Sequence, residues 1–72
     1  EALAKDDREA MKWFGKAANA GSVEAMAWVG MGYFNGVGVS KDYDKAMSWY
    51  KRSARLGNKD AREKLISLGE KW

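Results

Sequence analysis

The chain matches itself. The stretch "KDDREAMKWFGKAANAGSVEA" from Lys5 falls on "KDYDKAMSWYKRSARLGNKDA" from Lys41 at a shift of 36 positions. Lys5, Asp6, Ala10, Met11, Trp13, Ala18, Gly21 and Ala25 coincide with Lys41, Asp42, Ala46, Met47, Trp49, Ala54, Gly57 and Ala61, while Phe14 meets Tyr50 and Lys16 meets Arg52. A period of this size marks a repeat architecture, in which each unit is one supersecondary element that buries its apolar face only against its neighbours. The 72 residues therefore hold about two copies of one unit.

Each unit reads as two helices, because apolar positions recur at helical spacing and the chain has no Pro to interrupt them. From Asp42 to Leu56, the residues Tyr43, Ala46, Met47, Tyr50 and Ala54 follow the i, i+3, i+4, i+7 pattern of one buried face, with Lys45, Arg52 and Arg55 away from its centre. From Ser22 to Asn35, Met26, Val29, Gly30 and Tyr33 do the same, with Ser22 placed as a cap and Glu24 favourable beside the helix dipole. Asp6 with Glu9 three residues on resembles a capping box for the first helix. The expectation is four helices, near 6–20, 22–35, 42–56 and 59–70.

The glycine-rich "NGVGV" follows a helix rather than a strand and lacks the Gly-Lys-Ser/Thr ending of a phosphate loop. It reads as a joint, with Gly36 ending one helix and Gly38 supplying positive φ in the crossover to the next. Gly21 and Gly57 have the same terminating role.

Composition then removes whole classes of function. With no Cys and no His, the chain lacks the commonest general base, the commonest metal ligand and all thiolate chemistry. No nucleophile and base stand at plausible spacing, so neither an enzyme nor a cofactor or metal site is expected. The acids Asp6, Asp7 and Glu9 are read as capping and dipole partners rather than a carboxylate site. A net charge of +3 from 13 basic and 10 acidic residues, spread without blocks, gives no nucleic-acid footprint. No segment reads as a signal peptide or membrane span, so a soluble domain with no membrane partner is expected, and a start at Glu1 rather than Met reads as an excised or processed piece.

The residues from Ala25 to Ala61, "AMAWVGMGYFNGVGVSKDYDKAMSWYKRSARLGNKDA", resemble the Sel-one-like repeat, a relative of the tetratricopeptide repeat. Ala25, Gly30, Tyr33, Gly36, Gly38, Val39, Asp42, Lys45, Ala46, Trp49, Tyr50, Ala54, Gly57 and Ala61 match its pattern in order, and Val29 stands where Leu is usual. The resemblance implies an all-α fold of paired antiparallel helices stacked into a right-handed superhelix, acting as a scaffold or adaptor. It divides the chain into a half repeat at 1–21, a full repeat at 22–57 and a C-terminal half repeat or capping helix at 58–72. Leu3 to Ala20 is then the second helix of a repeat whose first helix is missing, which leaves an apolar flank expected to be covered either by upstream repeats of a longer parent or by another copy of the chain. Ile66 and Gly69 stand where the pattern has Gly and Tyr, so the last helix is not expected to receive a following repeat in the usual way. Trp13 and Trp49, at matching pattern positions, are expected to be packing residues.

Around the second helix, Glu24, Trp28, Met31 and Asn35 form a narrow stripe opposite Val29 and Tyr33. The resemblance places this stripe in a concave groove, with Ala27 and Phe34 at its edge and with Asp60, Lys64, Ser67 and Lys71 from the last helix. The expected partner is a peptide or a protein surface, held by an aromatic and Met anchor beside a rim of mixed charge. For Trp28 itself, contact with a neighbouring helix and a binding role both remain open.

Overall fold

The protein is described by a computed structural model covering residues 2–72, with side chains from residue 6 onward. Glu1, the first residue of the expected half repeat, and the side chain of Lys5 in the self-match lie outside the described residues. Four helices follow in order, α1 (Ala2–Asn19), α2 (Val23–Asn35), α3 (Tyr43–Arg55) and α4 (Lys59–Ser67), and no strand occurs among the described residues.

Short polar side chains start three of these helices. Ser22 Oγ accepts from the Ala25 amide at 3.2 Å, Asp42 Oδ1 from the Lys45 amide at 3.0 Å and Asn58 Oδ1 from the Ala61 amide at 2.9 Å. Each supplies an acceptor to an amide that the first turn leaves unpaired. The expected capping box at Asp6 and Glu9 does not form, because α1 begins at Ala2 and places Asp6, Asp7 and Glu9 inside the helix. At the other end of the chain, α4 stops at Ser67 rather than near residue 70. Gly69 takes φ +73° there, and the Glu70 amide donates back to the Leu65 carbonyl at 2.9 Å. This is the left-handed turn that closes orphan carbonyls at a helix end.

The glycine joint behaves as its chemistry requires. Gly36 ends α2 with φ +72° and Gly38 follows at φ +78°. A side chain at Gly38 would strike the Asp7 carbonyl oxygen and Met11 on α1, so the crossover is pressed against the first helix as well as turned in the left-handed region. The Asp42 amide then donates to the Tyr33 carbonyl at 2.9 Å, which returns the chain to α2 before α3 starts.

Two apolar clusters hold the stack together. Met11 and Ala18 of α1 pack with Ala25, Met26 and Val29 of α2; Ala46, Met47, Tyr50 and Ala54 of α3 pack with Ala61 and Leu65 of α4. Small residues let the helices approach closely, as at Gly30, where a Cβ would sit 3.1 Å from Cγ and Cδ1 of Tyr50 and 3.3 Å from the Ala46 carbonyl oxygen. Ser53, fully buried, donates its hydroxyl to the Val23 carbonyl at 2.7 Å, and Arg62 Nε donates to the Ala54 carbonyl at 2.9 Å. The first bond ties α3 to the start of α2, and the second ties α4 to α3. Among the described residues, substantial contact runs only between helices adjacent in sequence, and the body measures 35 × 24 × 16 Å.

Two packing expectations are corrected. Trp49 is half-buried against the first cluster, but Trp13 is 61% exposed. Trp49 packs against the cluster that α1 and α2 form between them, and no helix occupies the equivalent place beside Trp13 among the described residues. Tyr43, expected on the buried face of α3, is 49% exposed. It opens α3 at the margin of the core, where its ring meets Phe34 with centroids 6.1 Å apart and its hydroxyl donates to Glu70 Oε2 at 2.9 Å.

Candidate functional site

Between α2 and α4, on the side away from the first cluster, lies a groove of about 430 Å³. The α2 wall is made by Glu24, Ala27, Trp28, Met31 and Asn35, and the opposite wall by Asp60, Ala61 and Lys64, with Asn58 at one end. Tyr50 of α3 lines the floor. Helical geometry explains the α2 wall, since a stripe at i, i+4, i+7 and i+11 stays on one face and the opposite face is already committed to Met26 and Val29.

Trp28 is the largest group on this wall. Its indole stacks on Phe14 of α1 with centroids 5.7 Å apart and planes 14° from parallel, yet 48% of its surface remains exposed. Contact with a neighbouring helix and an open face therefore coexist in one residue. The stack holds the ring still, so little rotamer freedom is left for a binding partner to freeze. Burial raises the Tyr50 phenol above its ordinary value and keeps it a neutral group at the groove floor.

Three of the expected groove residues stand elsewhere. Phe34 is half-buried against the second cluster and serves as a seat for Lys64, whose Nζ lies 4.3 Å from the ring centroid. Ser67 donates its hydroxyl to the Lys64 carbonyl at 2.7 Å, inside its own helix, and does not border the groove. Lys71 follows the end of α4, so the helical spacing that linked it to Asp60 and Lys64 does not reach it. Conversely, Tyr50, Asn58 and Ala61 line the groove without having been expected there.

The carboxylates of Glu24 and Asp60 make no ion pair among the described residues, where the one salt bridge joins Lys51 Nζ to Glu70 Oε1 at 3.3 Å. Lys51 is thus engaged with the segment after α4. The hydrogen bond from Tyr43, followed by the bond from Lys51, holds the Glu70 carboxyl below its ordinary value. No group of His, Cys, Asp or Glu side chains fit to hold a metal ion occurs among the described residues.

The family model of the Sel1 repeat matches residues 2–22 and again 23–58. The chain belongs to the Sel1 repeat family. Sel1 repeats are non-catalytic helical repeats that generally mediate protein–protein interaction. The four-helix stack is consistent with that family, and the second matched segment carries α2, the glycine joint and α3. Neither the curated proteins nor the solved structures contain a match to this Sel1 chain. No helix among its described residues is long and apolar enough to cross a membrane.

Proposed function

We propose that this Sel1 chain is an interaction module that takes a peptide or protein segment in the groove between α2 and α4. Trp28 carries the reading: an aromatic ring, half exposed yet held by stacking on Phe14, lines a concave, mostly apolar trough together with Met31 and Tyr50. Large, immobile aromatic groups of this kind concentrate binding energy because they bury much area at little entropic cost. In this reading α2 and α3 make the full repeat, α1 the half repeat before it, and α4 the capping half that supplies the far wall.

The test uses random-sequence peptides displayed against the intact chain. Selected peptides are expected to move the amide and indole resonances of α2 and α4 around the groove. They should lose affinity on Trp28→Ala and on Met31→Glu while the helical circular dichroism is kept. Peptides that map instead to α1 or to the outer faces of the stack would refute the groove.

A second reading is favoured by Trp13. One period later the same residue type is half-buried against the first cluster, so the exposed ring favours an unpaired flank of α1 that a second copy of the chain would cover.

A further inference from the structure

The chain supplies its aromatic rings with cations of its own. Lys16 Nζ lies 4.7 Å from the centroid of Trp13, Lys45 Nζ 5.4 Å from Tyr33, Arg52 5.4 Å from Trp49, Arg62 6.0 Å from Trp72 and Lys64 Nζ 4.3 Å from Phe34. No described cation lies over Trp28. Residues three and four positions away are the helical neighbours that reach such a ring. For Trp13 and Trp49 the residue three positions on is Lys16 or Arg52; for Trp28 it is Met31, and the residue four positions before is Glu24.

The surroundings of that open face are negative. Glu24 borders the groove on the α2 side and Asp60 on the α4 side, and both also border the shallow depression that continues past Asn58, so the two carboxylates share one end of the trough. Neither has an ionic partner among the described residues. The basic groups nearby are Lys59, in the adjoining depression, and Lys64, which is held over Phe34. An electron-rich indole face flanked by two unpaired carboxylates attracts a cation, and a planar guanidinium suits it best because it stacks on the ring while its edge donates to carboxylate oxygens.

We infer that the groove is selective for a peptide segment whose arginine side chain lies over Trp28 between the carboxylates of Glu24 and Asp60. This rests on the groove reading above. The rest of the segment runs along Ala27, Met31 and Tyr50 toward Lys64.

The peptides selected on the intact chain provide the test. One position in them is expected to be occupied by arginine, at a fixed offset from an apolar residue. Replacing that arginine by citrulline, which keeps the shape and removes the charge, should weaken binding about tenfold at low salt. In the Glu24→Gln, Asp60→Asn double variant, two exposed changes that leave the packed faces untouched, the arginine and citrulline peptides should bind alike. Equal binding to the parent chain, or an arginine preference that survives in the double variant, would overturn the arginine inference while the groove still stands. Selected peptides that leave the Trp28 indole resonance unmoved, or a library that yields no binder, would overturn both.

Discussion

Gly30 offers the sharpest measurement of how closely the helices approach. In an exposed helix, Ala in place of Gly is favourable by roughly 1 kcal/mol, so a mid-helix glycine calls for a packing reason. Here the missing Cβ would lie 3.1 Å from two ring carbons of Tyr50 and 3.3 Å from the Ala46 carbonyl oxygen, tighter than ordinary contact. The obstructing atoms are the base of a buried ring and a helix backbone, which yield far less than the tip of a flexible chain. Gly30→Ala therefore sets a propensity gain against a small displacement and should shift stability little. Gly30→Leu adds three further carbons to an occupied space and should cost about 1–3 kcal/mol by overpacking. For a domain of this size that corresponds to a fall in Tm of about 4–8 °C for each kcal/mol. Gly15 on α1 is the internal control, since a Cβ there meets nothing within 4 Å and its φ is not positive. Gly15→Ala should raise Tm by about the same 4–8 °C that roughly 1 kcal/mol delivers. Thermal unfolding followed by circular dichroism decides the matter. A Gly30→Leu midpoint at or above that of the parent, beside a normal response at Gly15, would mean that α2 and α3 do not meet there.

Leu65→Ala should cost about 2–5 kcal/mol in denaturant unfolding, because the side chain is fully buried between α3 and α4 and leaves a cavity. The Tyr43–Glu70 bond predicts a pH response at the C-terminal turn: Glu70 is held low, so its contribution is present above the ordinary value of 4.5 and is lost as pH falls through the lowered one. Tyr43 is held high by its bond to Glu70, so its contribution is present below 10.0 and disappears as pH rises through the raised value. Tyr43→Phe should move the Glu70 carboxyl upward in an NMR titration; an unchanged titration would show that the bond does not form in solution. Sedimentation should find the parent chain associating at millimolar concentration and Trp13→Gln more nearly monomeric, whereas a parent that stays monomeric would exclude pairing through α1.

Local chemistry was the readable part of this fold. Ser22 as a cap, Gly36 and Gly38 as the joint, and the close approach at Gly30 each depend on a residue type whose behaviour is fixed within a few positions of chain. The α2 half of the groove was readable for the same reason, since a stripe is a property of one helix. Trp13 was misread because a repeat position is covered only where a neighbouring helix stands beside it, and Tyr43 because helical spacing does not show that the first residue of α3 meets only the ring of Phe34. The far wall was read one turn too long, as the left-handed Gly69 closes α4 before Lys71. Tyr50 was recognised as a buried residue but not as a floor, because that role depends on two helices standing apart on either side of it.

Ile66 occupies in α4 the place that Gly30 holds in α2, and it is 65% exposed. A helix that came to α4 as α3 comes to α2 would meet a branched side chain where even one carbon is crowded, and would be kept at a distance. The opposite end of the stack has no such obstruction, because Ala10 and Phe14 of α1 stand where Ala46 and Tyr50 stand in α3. The two ends are therefore not mates for one another. Head-to-tail stacking of copies in the manner of α2 on α3 would have to displace the Ile66 side chain.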